Sequence, residues 1–120
     1  MKITFVSAFK DNYIWLVMND QQEVWAIDVG DAAPVIQFLQ SSQLNLRGIL
    51  LTHHHWDHCQ GVSALLEKFP VPVYGGTSEN IATVTSPVND ADIINLDANI
   101  HFKVLAIPGH TLGHVAYYGN

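Results

Sequence analysis

The chain has 120 residues, 48% hydrophobic and 13% charged, which is typical of one small globular domain and excludes a disordered segment. Its formal net charge is −6 and its five Lys and Arg residues are scattered, so we expect neither nucleic acid nor a membrane surface as a partner. One cysteine, Cys59, excludes an internal disulfide, and no apolar run approaches the roughly 18 residues of a membrane-spanning helix. We therefore expect a soluble cytoplasmic protein.

The first third of the sequence predicts three β-strands. Apolar and polar residues alternate over residues 2–6, and dense apolar runs follow at 13–18 and 24–27. The polar cluster at 19–22 separates the last two runs, so these form an antiparallel hairpin with a turn between them.

The remainder of the chain predicts strands that alternate with helices. A helix opens at Pro34, with Asp31 upstream as its cap, and a buried strand follows at 48–51. A second helix has apolar residues at i, i+3, i+4 and i+7 over 62–69. Further strands are predicted at 71–74, 93–96, 102–107 and 115–118. This alternation indicates an α/β layered fold.

The end of the chain is unusual for a small domain. Residues 117–120 follow an apolar strand pattern directly, without a polar tail or a closing helix. We therefore expect these 120 residues to be part of a larger fold. A separate chain of this length would expose an apolar sheet face and self-associate.

A cluster of metal-ligand residue types follows the buried strand at 48–51. It consists of His53, His55, Asp57 and His58, which lie within six residues, a density that a solvated loop seldom has. Residues two apart in an extended segment point to the same side, so His53 and His55 can hold one metal ion. Asp57 and His58 are adjacent and need a tight loop, which can turn them towards a second ion nearby.

A second predicted strand also delivers a histidine at its end. The apolar run 102–107 leads into Pro108-Gly109-His110. Three neutral imidazoles, those of His53, His55 and His110, would make a zinc site with an open fourth position. Water bound at such a position has its pKa lowered towards about 7, which suits hydrolysis.

These motifs resemble those of the metallo-β-lactamase superfamily and, within it, the glyoxalase II (hydroxyacylglutathione hydrolase) family. The matching segments are 11–13, 52–58, 73–75 and 108–114, and the resemblance runs over essentially all of the chain. It implies an αβ/βα sandwich of which this chain supplies roughly the first half, with a mixed, largely antiparallel sheet and flanking helices. Residues 1–120 would then be the N-terminal part of the catalytic domain, without its second half and without the C-terminal helical substrate-binding region.

The resemblance also implies a set of metal ligands. His53, His55 and His110 would hold one divalent ion, and Asp57 and His58 would hold a second. Zinc is the expected metal, with iron or manganese as alternatives. The family completes both sites with a bridging aspartate and a further histidine, which this sequence does not reach.

Several neighbours of these motifs are given supporting or structural roles. Asp28 ends a strand near the cluster and is expected to hold a ligand or a loop in place. His114, four residues after His110, has the same expected role, with a simple hydrogen-bonded histidine as an equal alternative. Cys59 is interpreted as a small packing residue and not as a nucleophile. Gln60 replaces the first of two glycines usual in the family, and we expect this change to affect only the turn after the ligand loop and not to remove a ligand.

The activity that the resemblance implies is hydrolysis of S-(2-hydroxyacyl)glutathione, such as S-lactoylglutathione, to glutathione and a 2-hydroxy acid. A metal-bound hydroxide, positioned by Asp57, would attack the thioester carbonyl while a metal ion stabilises the oxyanion. The alternatives are a single-iron sulfur dioxygenase of the same fold, another hydrolase of the superfamily, or an inactive metal-binding fragment. We expect the full-length protein to be the enzyme and the 120-residue chain alone to be inactive.

Overall fold

A computed structural model describes residues 1–8, 12–53, 59–77, 81–107 and 114–119. These residues form two sheets and two helices. The larger sheet consists, in spatial order, of β1 (Lys2–Ala8), β2 (Asn12–Met18), β3 (Glu23–Ile27), β4 (Asn45–Leu50), β5 (Val73–Gly76) and β6 (Ser86–Val88). The smaller sheet consists of β7 (Ile93–Asn95), β8 (His101–Ala106) and β9 (Val115–Gly119). The helices are α1 (Ala32–Ser42) and α2 (Val62–Lys68).

The larger sheet is mixed, as predicted. Its strands β1, β2 and β3 pair antiparallel, which confirms the predicted hairpin, whereas β3 to β6 pair parallel. The hairpin turns at Asn19, whose Oδ1 accepts hydrogen bonds of 3.0 Å from the backbone of Gln21 and Glu23. All pairs of the smaller sheet are antiparallel. Parallel pairing places the carboxyl ends of β3, β4 and β5 at one edge, which is where ligand sites of α/β folds lie.

The two helices pack on one face of the larger sheet. Asp31 caps α1 as predicted, because its side chain accepts a hydrogen bond from the Ala33 backbone, and α1 begins two residues before Pro34. Gly61 precedes α2 where the chain passes the start of α1: a Cβ added there would lie 2.6 Å from the Ala32 nitrogen. The buried side chains under the helices include Leu16, Val24, Val35, Ile49 and Leu65.

The smaller sheet covers only part of the opposite face. Val17, Trp25 and Leu50 pack there against Ile100 and Phe102. Further towards β1 the face is open, and we call its four large side chains, Ile3, Phe5, Tyr13 and Trp15, the aromatic face. They are 45% to 58% exposed. The expected exposed apolar face is therefore present in the chain, and its self-association remains a prediction.

Several elements differ from the sequence prediction by a few residues, and one strand was not predicted at all. β6 was not predicted, because Pro87 lies in the middle of a segment of only three residues and proline lowers strand propensity. β4 begins at Asn45, three residues before the apolar run, since its first residues pair with β3 across the parallel ladder. Among the described residues, neither helix has the length and apolarity that crossing a bilayer requires.

Candidate metal centre

The structure describes three of the predicted site residues, namely Asp28, His53 and His114. The other four, His55, Asp57, His58 and His110, lie outside the described residues, and their roles as ligands stay predictions. Within the described ranges, no three His, Cys, Asp or Glu residues are grouped closely enough to hold a metal ion. The described part of the site is therefore the framework from which the histidine cluster and the segment with His110 emerge.

His53 is the innermost residue of this framework. It follows the end of β4 by three residues and is only 4% exposed, the one buried polar or charged side chain in the described part of the chain. Its Nδ1 lies 2.7 Å from the Thr52 hydroxyl oxygen. Because residues 54–58 follow directly, the predicted ligand cluster starts from a side chain with a defined position.

Asp28 holds Thr52 from the neighbouring strand. Its Oδ1 accepts a 2.8 Å hydrogen bond from the Thr52 backbone N–H, and its Oδ2 lies 2.7 Å from the Thr52 hydroxyl. The Asp28 backbone N–H in turn donates to the Leu50 carbonyl at 2.8 Å. Asp28 adopts a left-handed conformation, with φ of 56°, which Asp tolerates better than most residues. Parallel pairing of β3 and β4 brings these two strand ends together across 24 residues of sequence.

The hydrogen-bond directions set the proton position on His53. A threonine hydroxyl has one proton, and an ionised carboxylate can only accept. Thr52 therefore donates to Asp28, and the Thr52 oxygen accepts from the Nδ1–H of His53. This tautomer leaves the lone pair of His53 on Nε2, the nitrogen with which it would bind a metal. A ligand histidine whose other nitrogen is held in this way is the usual arrangement in metal sites.

His114, which directly precedes β9 of the smaller sheet, also contacts this framework. Its ring stacks on that of His53, with centroids 4.6 Å apart and planes inclined by 22°. The Ile107 backbone N–H donates to the His114 carbonyl at 2.8 Å, so the two described residues on either side of 108–113 are held together. The stacking of His114 on His53 places this contact near the start of the histidine cluster. His110 itself lies outside the described residues.

Two polar residues of this region were not singled out from the sequence. Thr52 bridges Asp28 and His53, and its place as a hydroxyl residue immediately before a histidine cluster is the signal that could have identified it. Tyr117 donates a 2.6 Å hydrogen bond to the Leu51 carbonyl. Burial raises the pKa of the Tyr117 phenol well above its usual value, and the negative charge of Asp28 raises it further. Tyr117 lies in an apolar strand pattern, where its hydroxyl gave no separate signal.

The donor chemistry of the described residues fits a divalent metal ion. A buried neutral imidazole is a common ligand of zinc and other first-row metals. The Asp28 carboxylate reaches this imidazole through one hydroxyl and so holds the orientation of the ring.

Comparison with known proteins gives a family match and close relatives. Residues 13–120 match the family model of the metallo-beta-lactamase superfamily. The chain is 47% identical over 115 residues to the hydroxyacylglutathione hydrolase of Hahella chejuensis and 46% identical over 121 residues to that of Vibrio campbellii. These alignments cover 96% and 100% of the chain but 44% and 48% of the relatives. The chain thus spans about half the length of the curated relatives it matches.

Solved structures agree on the fold. The BLEG-1 B3 metallo-beta-lactamase superposes with a TM-score of 0.84 at 26% identity, covering 98% of this chain and 66% of that protein. ETHE1 from Myxococcus xanthus also gives 0.84, at 25% identity, covering 99% of this chain and 54% of that protein. The predicted resemblance and fold class are confirmed by these matches.

Proposed function

Because the chain belongs to the metallo-beta-lactamase superfamily, we propose that this protein hydrolyses a glutathione thioester with the help of bound divalent metal. The proposed substrate is an S-(2-hydroxyacyl)glutathione such as S-lactoylglutathione, and the products are glutathione and a 2-hydroxy acid. The relatives that share 46% to 48% identity with the chain are named hydroxyacylglutathione hydrolases, which supports this substrate class. The match to the metallo-beta-lactamase superfamily also implies that the protein binds a divalent metal ion.

The observation that carries the proposal is the hydrogen-bonded path from Asp28 through Thr52 to His53. A buried histidine with one nitrogen held by such a path is prepared to present the other to a metal ion. We propose zinc, bound by His53, His55 and His110 at one position and by Asp57 and His58 at a second. Apart from His53, whose burial and hydrogen bond the structure describes, these ligands are proposed from the sequence motif alone.

The chain's own residues would divide the chemistry among them. Zinc, when bound, would supply a Lewis acid and lower the pKa of water to about 7. Asp28 and Thr52 would hold the ring of His53 at Nδ1, and His114 would restrict that ring by stacking on one of its faces. Asp57 would orient the attacking water towards the thioester carbonyl. The thiolate of glutathione leaves readily, so no protein nucleophile is needed.

Metal analysis together with a thioester assay tests the proposed function. Full-length protein purified without added metal should contain about two zinc-type ions per chain and hydrolyse S-lactoylglutathione. Removal of metal with a chelator should abolish hydrolysis, and zinc should restore it. One iron per chain, with no thioester hydrolysis, would instead support the sulfur dioxygenase alternative.

A matched pair of Thr52 variants tests the framework. Thr52→Val keeps the side-chain volume but removes the hydroxyl between Asp28 and His53, so we expect zinc affinity to fall by about 10- to 100-fold. Thr52→Ser keeps the hydroxyl and should stay near the wild-type affinity. Both affinities are measured by competition with a chelating dye. Equal affinities of the Val and Ser variants would contradict the role of the hydroxyl.

A further inference from the structure

Tyr117 lies on the smaller sheet and contacts the strand end that leads to His53. We infer that Tyr117 is a positioning residue whose hydroxyl locks β9 onto the end of β4 and so couples the two segments that carry the predicted metal ligands. This inference rests on the proposed metal site. It gives a role in metal binding to a residue that is not itself a predicted ligand.

The first part of the lock is the phenol itself. Its hydroxyl donates to the Leu51 carbonyl at 2.6 Å and lies 3.4 Å from the Tyr74 carbonyl, so it sits between the end of β4 and the neighbouring part of β5. Leu51 is separated from Tyr117 by 66 residues of sequence. Leu51 directly precedes Thr52, the residue that positions His53. The hydroxyl therefore connects the smaller sheet to the backbone at the start of the site.

The second part of the lock lies two residues earlier on the same strand. The Val115 backbone N–H donates to the Thr52 carbonyl at 2.9 Å. Two successive carbonyls of the strand end, those of Leu51 and Thr52, are thus both held by β9. Because β9 follows His114 directly, the same strand also holds the His114 ring against His53 and the His114 carbonyl against the Ile107 backbone N–H.

The surroundings of Tyr117 make its hydroxyl a dependable donor. The ring packs against two apolar clusters, one with Trp25 and Leu50, the other with Val104 and Val115. Burial raises the pKa of the phenol and the nearby Asp28 carboxylate raises it further, so the hydroxyl keeps its proton at neutral pH. Phenylalanine would fill the same space and lose only the donor, which makes it a specific probe of the lock.

The test compares Tyr117→Phe with Tyr118→Phe in the full-length protein. Tyr118 is adjacent and 63% exposed, so its variant controls for loss of a phenol on the same strand. We expect Tyr117→Phe to weaken zinc binding by about tenfold and to accelerate hydrogen exchange of the Val115 amide in metal-free protein, and Tyr118→Phe to change neither. Unaltered zinc affinity in a folded Tyr117→Phe protein would overturn the inference, because the hydroxyl would then only satisfy a carbonyl.

A measurement on wild-type protein keeps the inference testable even if Tyr117→Phe does not fold. Coupling between two sites is reciprocal, so a lock that favours zinc must itself be favoured by zinc. Zinc should slow hydrogen exchange of the Val115 amide more than that of the amides of β1, which is an edge strand of the larger sheet. Equal slowing at both places would overturn the lock while the thioesterase proposal stands. Failure of the wild type to bind zinc would overturn the proposed function as well.

Discussion

The two faces of the larger sheet are covered in different ways. Under α1 and α2, side chains such as Leu16, Ile49 and Leu65 are fully buried in one continuous cluster. On the opposite face the smaller sheet contributes two smaller clusters, and Phe5 and Trp15 remain 48% and 45% exposed. Apolar burial is the main favourable contribution to folding, so the helix-covered face should supply most of the stability.

Polar contacts have a larger part in attaching the smaller sheet. The side-chain amide of Asn19 donates a 2.9 Å hydrogen bond to the Asp97 carboxylate, and the Tyr117 hydroxyl donates one to the Leu51 carbonyl. The described residues of the candidate metal centre lie along this same junction. We therefore expect the helix-covered face to act as the stable support and the junction between the sheets to position the described residues of the site. Substitutions on the two faces should separate these two properties.

The largest effect is expected under the helices. Leu16→Ala removes a side chain that is 0% exposed, and we expect unfolding to become easier by about 2–5 kcal/mol through lost burial and a cavity. Leu105→Ala is the matched control, because Leu105 is 36% exposed on β8. Urea denaturation followed by circular dichroism measures both. Similar losses in the two variants would contradict the difference between the faces.

A smaller, pH-dependent effect is expected at the junction. The side-chain amide of Asn19 and then the backbone N–H of Asn99 lower the pKa of Asp97 below its ordinary value of 3.8. A lowered folded-state pKa contributes stability above the unfolded-state value, and this contribution is lost as the pH falls through the folded-state value. Asp97→Asn should therefore be less stable than wild type at neutral pH, with the difference shrinking in acid. Solvent screening keeps the effect modest.

The control for this pH dependence is Asp20→Asn, which removes an exposed carboxylate from the turn between β2 and β3, next to Asn19. Urea midpoints measured from about pH 7 to pH 3 should converge for wild type and Asp97→Asn but run in parallel for wild type and Asp20→Asn. A constant difference between wild type and Asp97→Asn over this range would show that the carboxylate charge does not hold the junction.

Local signals in the sequence predicted much of the helix-covered face. The polar turn at 19–22 and the cap at Asp31 are short-range features, and both are confirmed by the structure. The order of strands depends on pairing between distant segments, which local propensity does not contain. β6 illustrates this limit, since a three-residue segment around Pro87 becomes a strand only because β5 offers it a partner.

The site was predictable in its residue types but not in its connections. The motif named His53 as a ligand, and the strand-end position of Asp28 suggested its supporting role. The contact between Asp28 and Thr52 needs parallel pairing of β3 and β4, and the contact between Tyr117 and Leu51 needs the two sheets to meet. Such contacts follow from tertiary structure, so sequence patterns alone could not supply them.

The smallest effect on folding is expected on the aromatic face. The Phe5 ring lies 4.8 Å from that of Tyr13 in an edge-to-face arrangement and 5.4 Å from that of Trp15. Such pairs contribute about 0.5–1.5 kcal/mol, so Phe5→Thr should cost about 1 kcal/mol of stability, since threonine also keeps strand propensity.

Exposed apolar patches promote association, so the same substitution should weaken self-association of the 120-residue chain. Sedimentation velocity over a range of concentrations measures this, with Tyr118→Thr as a control that removes an exposed aromatic ring from the other sheet. If both variants associate as the wild type does, the aromatic face is not the surface through which two copies of the chain contact each other.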